Sequence, residues 1–148
     1  MVIGRSLESG AVPFDPIGDY PLGTRRPDLV TTPGGVPLGE VTLDAIRAGT
    51  LGGDEIRATP DTLRLQAEVA LAAGRTQLAD SLERAAELAA VPDELLLDVY
   101  TALRPRRATA AELEAWAAQL ETYDAVQTAA FVREAAAAYA ERRLLADG

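Results

Sequence analysis

Two prolines, Pro92 and Pro105, bracket the stretch that most limits how this chain can fold. Proline fixes its own φ, has no N–H, and pushes the residue before it out of the helical region, yet the first turn of a new helix accepts it. The helical pattern that reaches Val91 must therefore break there, and a second helix starts with Pro92 in its first turn. Asp93 and Glu94 place negative charge on the free amides of that turn, where the helix dipole favours it. As neighbours at a helix start they point in different directions, so they read as dipole partners and not as a catalytic pair. Leu95, Leu96, Val99 and Leu103 then fall on one helical face, and Pro105 stops the run at the arginine cluster Arg104, Arg106 and Arg107. That cluster suits a helix C-terminus or the carboxylates of a partner. No glycine-rich loop accompanies it, which argues against a phosphate site.

The same punctuation divides the neighbouring segments. Thr42 caps a short helix that Gly49 ends in the left-handed conformation, with Leu43 and Ile46 as its anchors. A turn over residues 54–57 leads to Thr59-Pro60, a cap followed by proline in the first helical position. The helix that follows runs to about Ala73 with Leu63, Ala67, Ala70 and Leu71 on one face, and Gly74 ends it. Residues 75–90 resume as a helix that aligns Leu78, Leu82, Ala85, Ala86 and Ala89, with Asp80 and Arg84 as an i,i+4 pair outside. Thr109-Ala-Ala-Glu112 is a capping box, and Leu113, Trp116, Ala117 and Leu120 repeat behind it. Trp116, the single tryptophan, reads as core. The last helix, to about Leu145, carries Val126, Phe131, Val132, Tyr139 and Leu145 among alanines, and Arg142 and Arg143 complement its C-terminal dipole.

Upstream of Thr42 the pattern is different. Residues 1–18 contain Gly4, Gly10, Pro13, Pro16 and Gly18 without apolar periodicity, and read as a disordered or extended lead-in. Residues 19–41 are interrupted by Pro21, Gly23, Pro27, Pro33, Gly34, Gly35, Pro37 and Gly39, so neither helix nor central strand can persist. Tyr20, Leu22, Leu29, Val30, Val36 and Leu38 nevertheless make this segment apolar, and a structureless stretch of that kind lies against something. Gly34-Gly35 is a turn. The expected fold is all-α: a compact helical domain over residues 42–148 behind a long extended N-terminal arm.

Composition excludes several functions. The chain has no cysteine, hence no disulfide or thiolate metal site, and no histidine, the usual general base and commonest metal ligand. No catalytic, cofactor-binding or metal-binding set can be assembled from what remains. A net charge of −9 and a pI near 4.5 disfavour nucleic acid, whose phosphates need a basic face. No apolar run approaches a membrane span. A reducing, cytoplasmic setting is the expectation. All the positive charge is arginine.

Four blocks then stand out in order: Arg57-Ala-Thr-Pro-Asp-Thr-Leu-Arg-Leu-Gln-Ala67, Glu83-Arg-Ala-Ala-Glu-Leu-Ala-Ala-Val-Pro-Asp93, Tyr100-Thr-Ala-Leu-Arg-Pro105 and Ala129-Ala-Phe-Val-Arg-Glu-Ala135. With Asp19-Tyr-Pro-Leu22 ahead of them, the chain resembles the small subunit of adenosylcobalamin-dependent diol and glycerol dehydratases. The resemblance covers everything except the first eighteen or so residues and the extreme C-terminus, and none of its blocks is a catalytic motif. It implies a subunit without catalytic residues in an enzyme that removes water from a 1,2-diol by radical chemistry to give an aldehyde. It also implies that the large and medium subunits hold adenosylcobalamin, that this chain packs on the large one, and that the complex is a dimer of heterotrimers. The arm over residues 19–41 is then expected on the partner, with Tyr20, Leu22, Arg104, Arg106 and Arg107 as interface residues. A helical adaptor sharing the scaffold without the enzyme is the alternative.

Two departures from the family pattern are visible. Arg106 stands where the family tends to have an aromatic ring. One residue fewer separates Leu120 from the last block, so residues 122–124 are either a break or a continuous helix with shifted phase. Some dehydratase subunits carry an amphipathic N-terminal helix that directs them into a bacterial microcompartment; residues 1–18 show no such stripe, and encapsulation would come through partner subunits.

Overall fold

The computed structural model describes residues 12–147. Most of the lead-in, and with it the expectation for residues 1–11, lies outside them. Among the described residues the fold is all-α: two antiparallel helical hairpins joined by a short helix, with a run of turns ahead of them. Among these residues no strand forms, and one isolated bridge joins Thr31 to Pro37.

The turns come first. Asp15 accepts from the Ile17 amide at 3.1 Å, while Asp19 reaches back to the Asp15 amide at 2.9 Å. The one-turn helix α1 (Leu22–Arg25) follows, then 3-10 turns at Pro27–Leu29 and Leu38–Glu40. Between them Thr32 and Val36 close a loop through Gly35, whose φ of +84° favours glycine. Prolines predict few internal hydrogen bonds here; the segment makes more, because turns need only one amide in three or four. Helix α2 (Leu43–Arg47) is capped by the Thr42 hydroxyl, as its sequence predicts, and ends through Gly49. Leu43 and Ile46, expected to anchor it, are instead exposed, since so short a helix has no neighbour on that face.

Helices α3 (Pro60–Ala72) and α4 (Thr76–Leu88) form the first hairpin. Thr59 accepts from the Thr62 amide at 3.2 Å, and Pro60 occupies the first turn. At the far end Arg75 N–H donates to the Ala70 carbonyl and Gly74 N–H to Leu71, a pair of bonds that requires the left-handed Gly74 between them. Ala67, Ala70 and Ala79 are the buried contacts, with Leu82 against them. Only one side of this hairpin is covered by helix, so Leu71 and Leu78 remain exposed. The Asp80–Arg84 pair does not form; Arg84 turns inward over Phe131 instead, with its guanidinium carbon 5.7 Å from the ring centre.

Helix α5 (Asp93–Ala102) follows the predicted corner, with Pro92 just ahead of the helix as its extended cap residue and both acids in the first turn. Leu95 and Val99 are buried, and Leu96 and Leu103 pack beside them. The second hairpin is α6 (Ala110–Glu121) and α7 (Val126–Arg142). The capping box is present: Thr109 N–H donates to Glu112 at 2.8 Å and Glu112 N–H to the Thr109 hydroxyl at 3.3 Å. The Thr109 N–H and, second to it, the Thr109 hydroxyl, which donates to the same carboxylate at 3.1 Å, hold the Glu112 carboxyl below the usual glutamate range. Residues 122–124 are a break, made by Asp124 at a φ of +59°. Leu113, Ala117, Leu120, Ala125, Ala129 and Val132 are completely buried between the two helices, and Trp116 lies partly buried against them. Val126 and Phe131, on the outer arc of α7, are exposed.

Candidate functional site

Two polar clusters hold the hairpins in place. The Glu87 carboxylate, at the end of α4, accepts from the Gln127 and Thr128 amides at 2.9 and 2.8 Å and from the Thr128 hydroxyl at 2.8 Å. Ala125 cannot cap α7 with its own side chain, so a residue of the other hairpin does so and meets the free amides of the helix start. Arg133 of α7 grips both Glu114 and Glu121 of α6, at 2.8 and 2.5 Å. The guanidinium hydrogen bonds hold both carboxyls below the usual glutamate range and raise Arg133 further. Every shifted group on the described surface is explained by a local bond of this structural kind. Among the described residues no group of three or more carboxylates, histidines or cysteines comes together.

The arginine cluster meets the end of the chain. Arg106 has a φ of +62°, and its N–H donates to the Leu144 carbonyl at 2.7 Å; Ala146 N–H donates to Ala108. The end of the chain is thereby zipped along the loop after α5, which brings the backbone that follows Arg142 and Arg143 alongside the loop that carries Arg106 and Arg107. Tyr139 fastens the same junction by donating its hydroxyl to the Leu103 carbonyl at 2.6 Å. All five arginines are exposed, and none makes an ion pair among the described residues. Arg142 and Arg143 read locally as dipole complements, and no local signal reveals that the backbone after them meets residues nearly forty positions earlier.

The other two expected interface residues part company. Tyr20 is 61% exposed, whereas Leu22 is 7% exposed and covered by its own chain. Both border a groove of about 800 Å³ between residues 16–23 and the α3–α4 hairpin. α1 turns Leu22 toward that hairpin, so it secures the segment from within. Arg26 adds to this by pairing with Asp19 and Asp28, each at 3.0 Å. The Asp28 carboxyl is held below its usual range, chiefly by the Arg26 hydrogen bond.

A family model described as dehydratase small subunit matches residues 16–146. The chain belongs to the dehydratase small-subunit family. The propanediol dehydratase small subunit of Citrobacter freundii is 50% identical over 130 residues, spanning 87% of this chain and 76% of that protein. That of Salmonella typhimurium is 48% identical over 130 residues, with 87% and 75% covered. Membership agrees with the four blocks and with the all-α fold. The chain has no imidazole or thiolate side chain to offer cobalt. No helix of the described residues is long and apolar enough to cross a membrane.

Proposed function

We propose that this chain is the small subunit of an adenosylcobalamin-dependent propanediol or glycerol dehydratase and serves its complex as a structural, non-catalytic part. The observation that carries this reading is the family match over residues 16–146, supported by relatives of about half identity that are named as propanediol dehydratase small subunits. In this reading the large and medium subunits bind adenosylcobalamin, which supplies the radical chemistry, and two heterotrimers form the complex. This chain's contribution is to pack on the large subunit in the cytoplasm, or in a microcompartment reached through a partner's targeting segment.

Two surfaces support that role. Residues 19–41 present Tyr20 outward, while Leu22 is buried and the Arg26 ion pairs brace the segment internally. Arg104, Arg106 and Arg107, with Arg142 and Arg143, offer guanidinium groups to carboxylates of the large subunit. Guanidinium is suited to such pairs because its planar donors match a carboxylate in two places.

Reconstitution tests the reading. The purified chain alone is expected neither to bind cobalamin tightly nor to dehydrate propane-1,2-diol, and activity is expected only with the two partner subunits. Turnover by the single chain would overturn it. Limited trypsin digestion tests the arm: Arg25 is exposed and should be cut rapidly in the isolated chain and slowly in the complex. Equal protection in both would remove residues 19–41 from the interface.

A further inference from the structure

Between α4, α5 and α7 a cleft of about 160 Å³ opens to solvent. Its walls are apolar, formed by Leu88, Leu96, Val99, Leu103 and Val132. Its rim holds Arg84, Tyr100 and Phe131, which come from three of the four blocks that carry the family resemblance. Tyr100 is 67% exposed and Phe131 49% exposed, so neither ring is required by the core beneath it. Arg84 packs on Phe131, and its side-chain hydrogen bond among the described residues goes to the Ser81 hydroxyl at 3.4 Å. Among the described residues it has no carboxylate partner.

We infer that this cleft is a docking site for the large dehydratase subunit, receiving one apolar side chain from it while Arg84 pairs with a carboxylate beside that side chain. The inference rests on the proposed place of this chain in a dehydratase complex. Three features select the occupant. An apolar cavity of about 150 Å³ takes a group the size of benzene, so one aromatic or branched side chain fills the space. A guanidinium at the rim, already stacked on an aromatic face and lacking an acid, is complementary to a carboxylate. A small diol would find no donor inside, because the Thr128 hydroxyl already gives its proton to Glu87 at 2.8 Å and can only accept, while the remaining walls are hydrocarbon. A second copy of the chain is disfavoured by charge, since each carries −9.

The test is co-expression with the other subunits of the dehydratase, followed by purification through a tag on this chain. Wild-type chain is expected to recover the large subunit. Arg84→Glu, and the double variant Tyr100→Ala with Phe131→Ala, are expected to lower that recovery at least tenfold, while Leu71→Ala on exposed α3 leaves it unchanged. Hydroxyl-radical footprinting of the wild-type protein guards against misfolded variants: Tyr100 and Phe131 should be strongly protected in the complex relative to the free chain. Recovery of the large subunit by all variants, with equal labelling in both states, would overturn the docking site and leave the proposed function standing. Protection of Tyr100 in a self-associated form without the large subunit would assign the cleft to a second copy and overturn the inference. Failure of the wild-type chain to recover any dehydratase subunit would overturn both readings.

Discussion

In α6 and α7, Leu113, Ala117, Leu120, Ala129 and Val132 expose nothing, whereas among residues 12–57 only Leu22, Thr32 and Leu51 are buried. The difference does not lie in apolar content, since the second region also contains Ile17, Tyr20, Leu43, Ile46 and Ile56, all exposed. It lies in periodicity. Apolar residues three and four apart on two antiparallel helices cover one another, while the same residues scattered among prolines and glycines have no common face. The early region is held by polar local bonds: Arg26 to Asp19 and Asp28, and Glu55 to the Thr32 hydroxyl and the Gly34 amide. Bonds of this kind on the surface fix a shape at little gain in stability. A region built that way keeps its apolar side chains available to a partner; a hairpin core does not.

That contrast predicts unequal costs for the same substitution. Leu120→Ala removes a completely buried side chain from the α6–α7 seam and should cost about 3 kcal/mol, within the range for buried leucines. Leu22→Ala should cost clearly less, because the turns around it can close over the space and because the segment is not part of the cooperative core. Chemical denaturation of the two variants checks this. Equal losses would show that residues 12–57 belong to the same folding unit as the hairpins, and the distinction between the regions would fall.

The next effect concerns the link between the hairpins. Glu87→Ala leaves the Gln127 and Thr128 amides at the start of α7 without their acceptor, and should cost about 2 kcal/mol, typical of hydrogen bonds to a charged group. Thermal melting measures it. A negligible loss would mean that water caps α7 as well as the carboxylate does, and that the hairpins adhere through apolar contacts alone.

These two sites also mark how far the sequence could be read. The helix starts at Thr42, Thr59 and Thr109 are legible because each cap lies within three residues of the amide it serves. The stops at Gly49 and Gly74 are legible because glycine alone takes the left-handed turn without steric cost. Asp124 and Arg143 end α6 and α7 by the same pair of backbone bonds, yet neither residue advertises a left-handed conformation. Residues 122–124 are therefore ambiguous in the sequence, and the apolar pattern of the last helix runs to Leu145 although the helix ends at Arg142. The Glu87 cap and the zipped chain end are hidden for a further reason: their partners lie some forty positions away and meet only after the hairpins pack. Arg133 was in plain sight within its block, but a helix pattern shows a surface arginine and not the two glutamates across the seam.

A smaller change sharpens the comparison from the capping side. Thr109→Ala removes the acceptor for the Glu112 amide and should cost about 1 kcal/mol. In the assembled enzyme turnover should hardly change, because the box positions a helix start and touches no reacting group. Melting of the free chain and turnover of the reconstituted complex separate the two effects. Loss of turnover at intact assembly would give the start of α6 a part in the reaction.

The smallest expected effect is that of Arg133, which spans the same seam from the solvent side. Its bonds hold the Glu114 and Glu121 carboxyls below the values they have in the unfolded chain. A carboxyl lowered by folding adds stability above its unfolded value, and that stability is lost as pH falls through the folded one. Arg133→Gln removes the cause of the depression, so wild type and variant should differ in melting temperature at neutral pH and converge as the solution is acidified below the usual glutamate range. Because the pairs are largely exposed, the difference at neutral pH should be less than that produced by Thr109→Ala, and added salt should reduce it. Melting curves taken across acid and neutral pH, at low and high salt, check both dependences. A gap that persists unchanged in acid would mean that Arg133 contributes through the packing of its aliphatic stem on the seam. The polar clamp would then be an extension of the core beneath it, unlike the ion pairs that hold Arg26 in the early region.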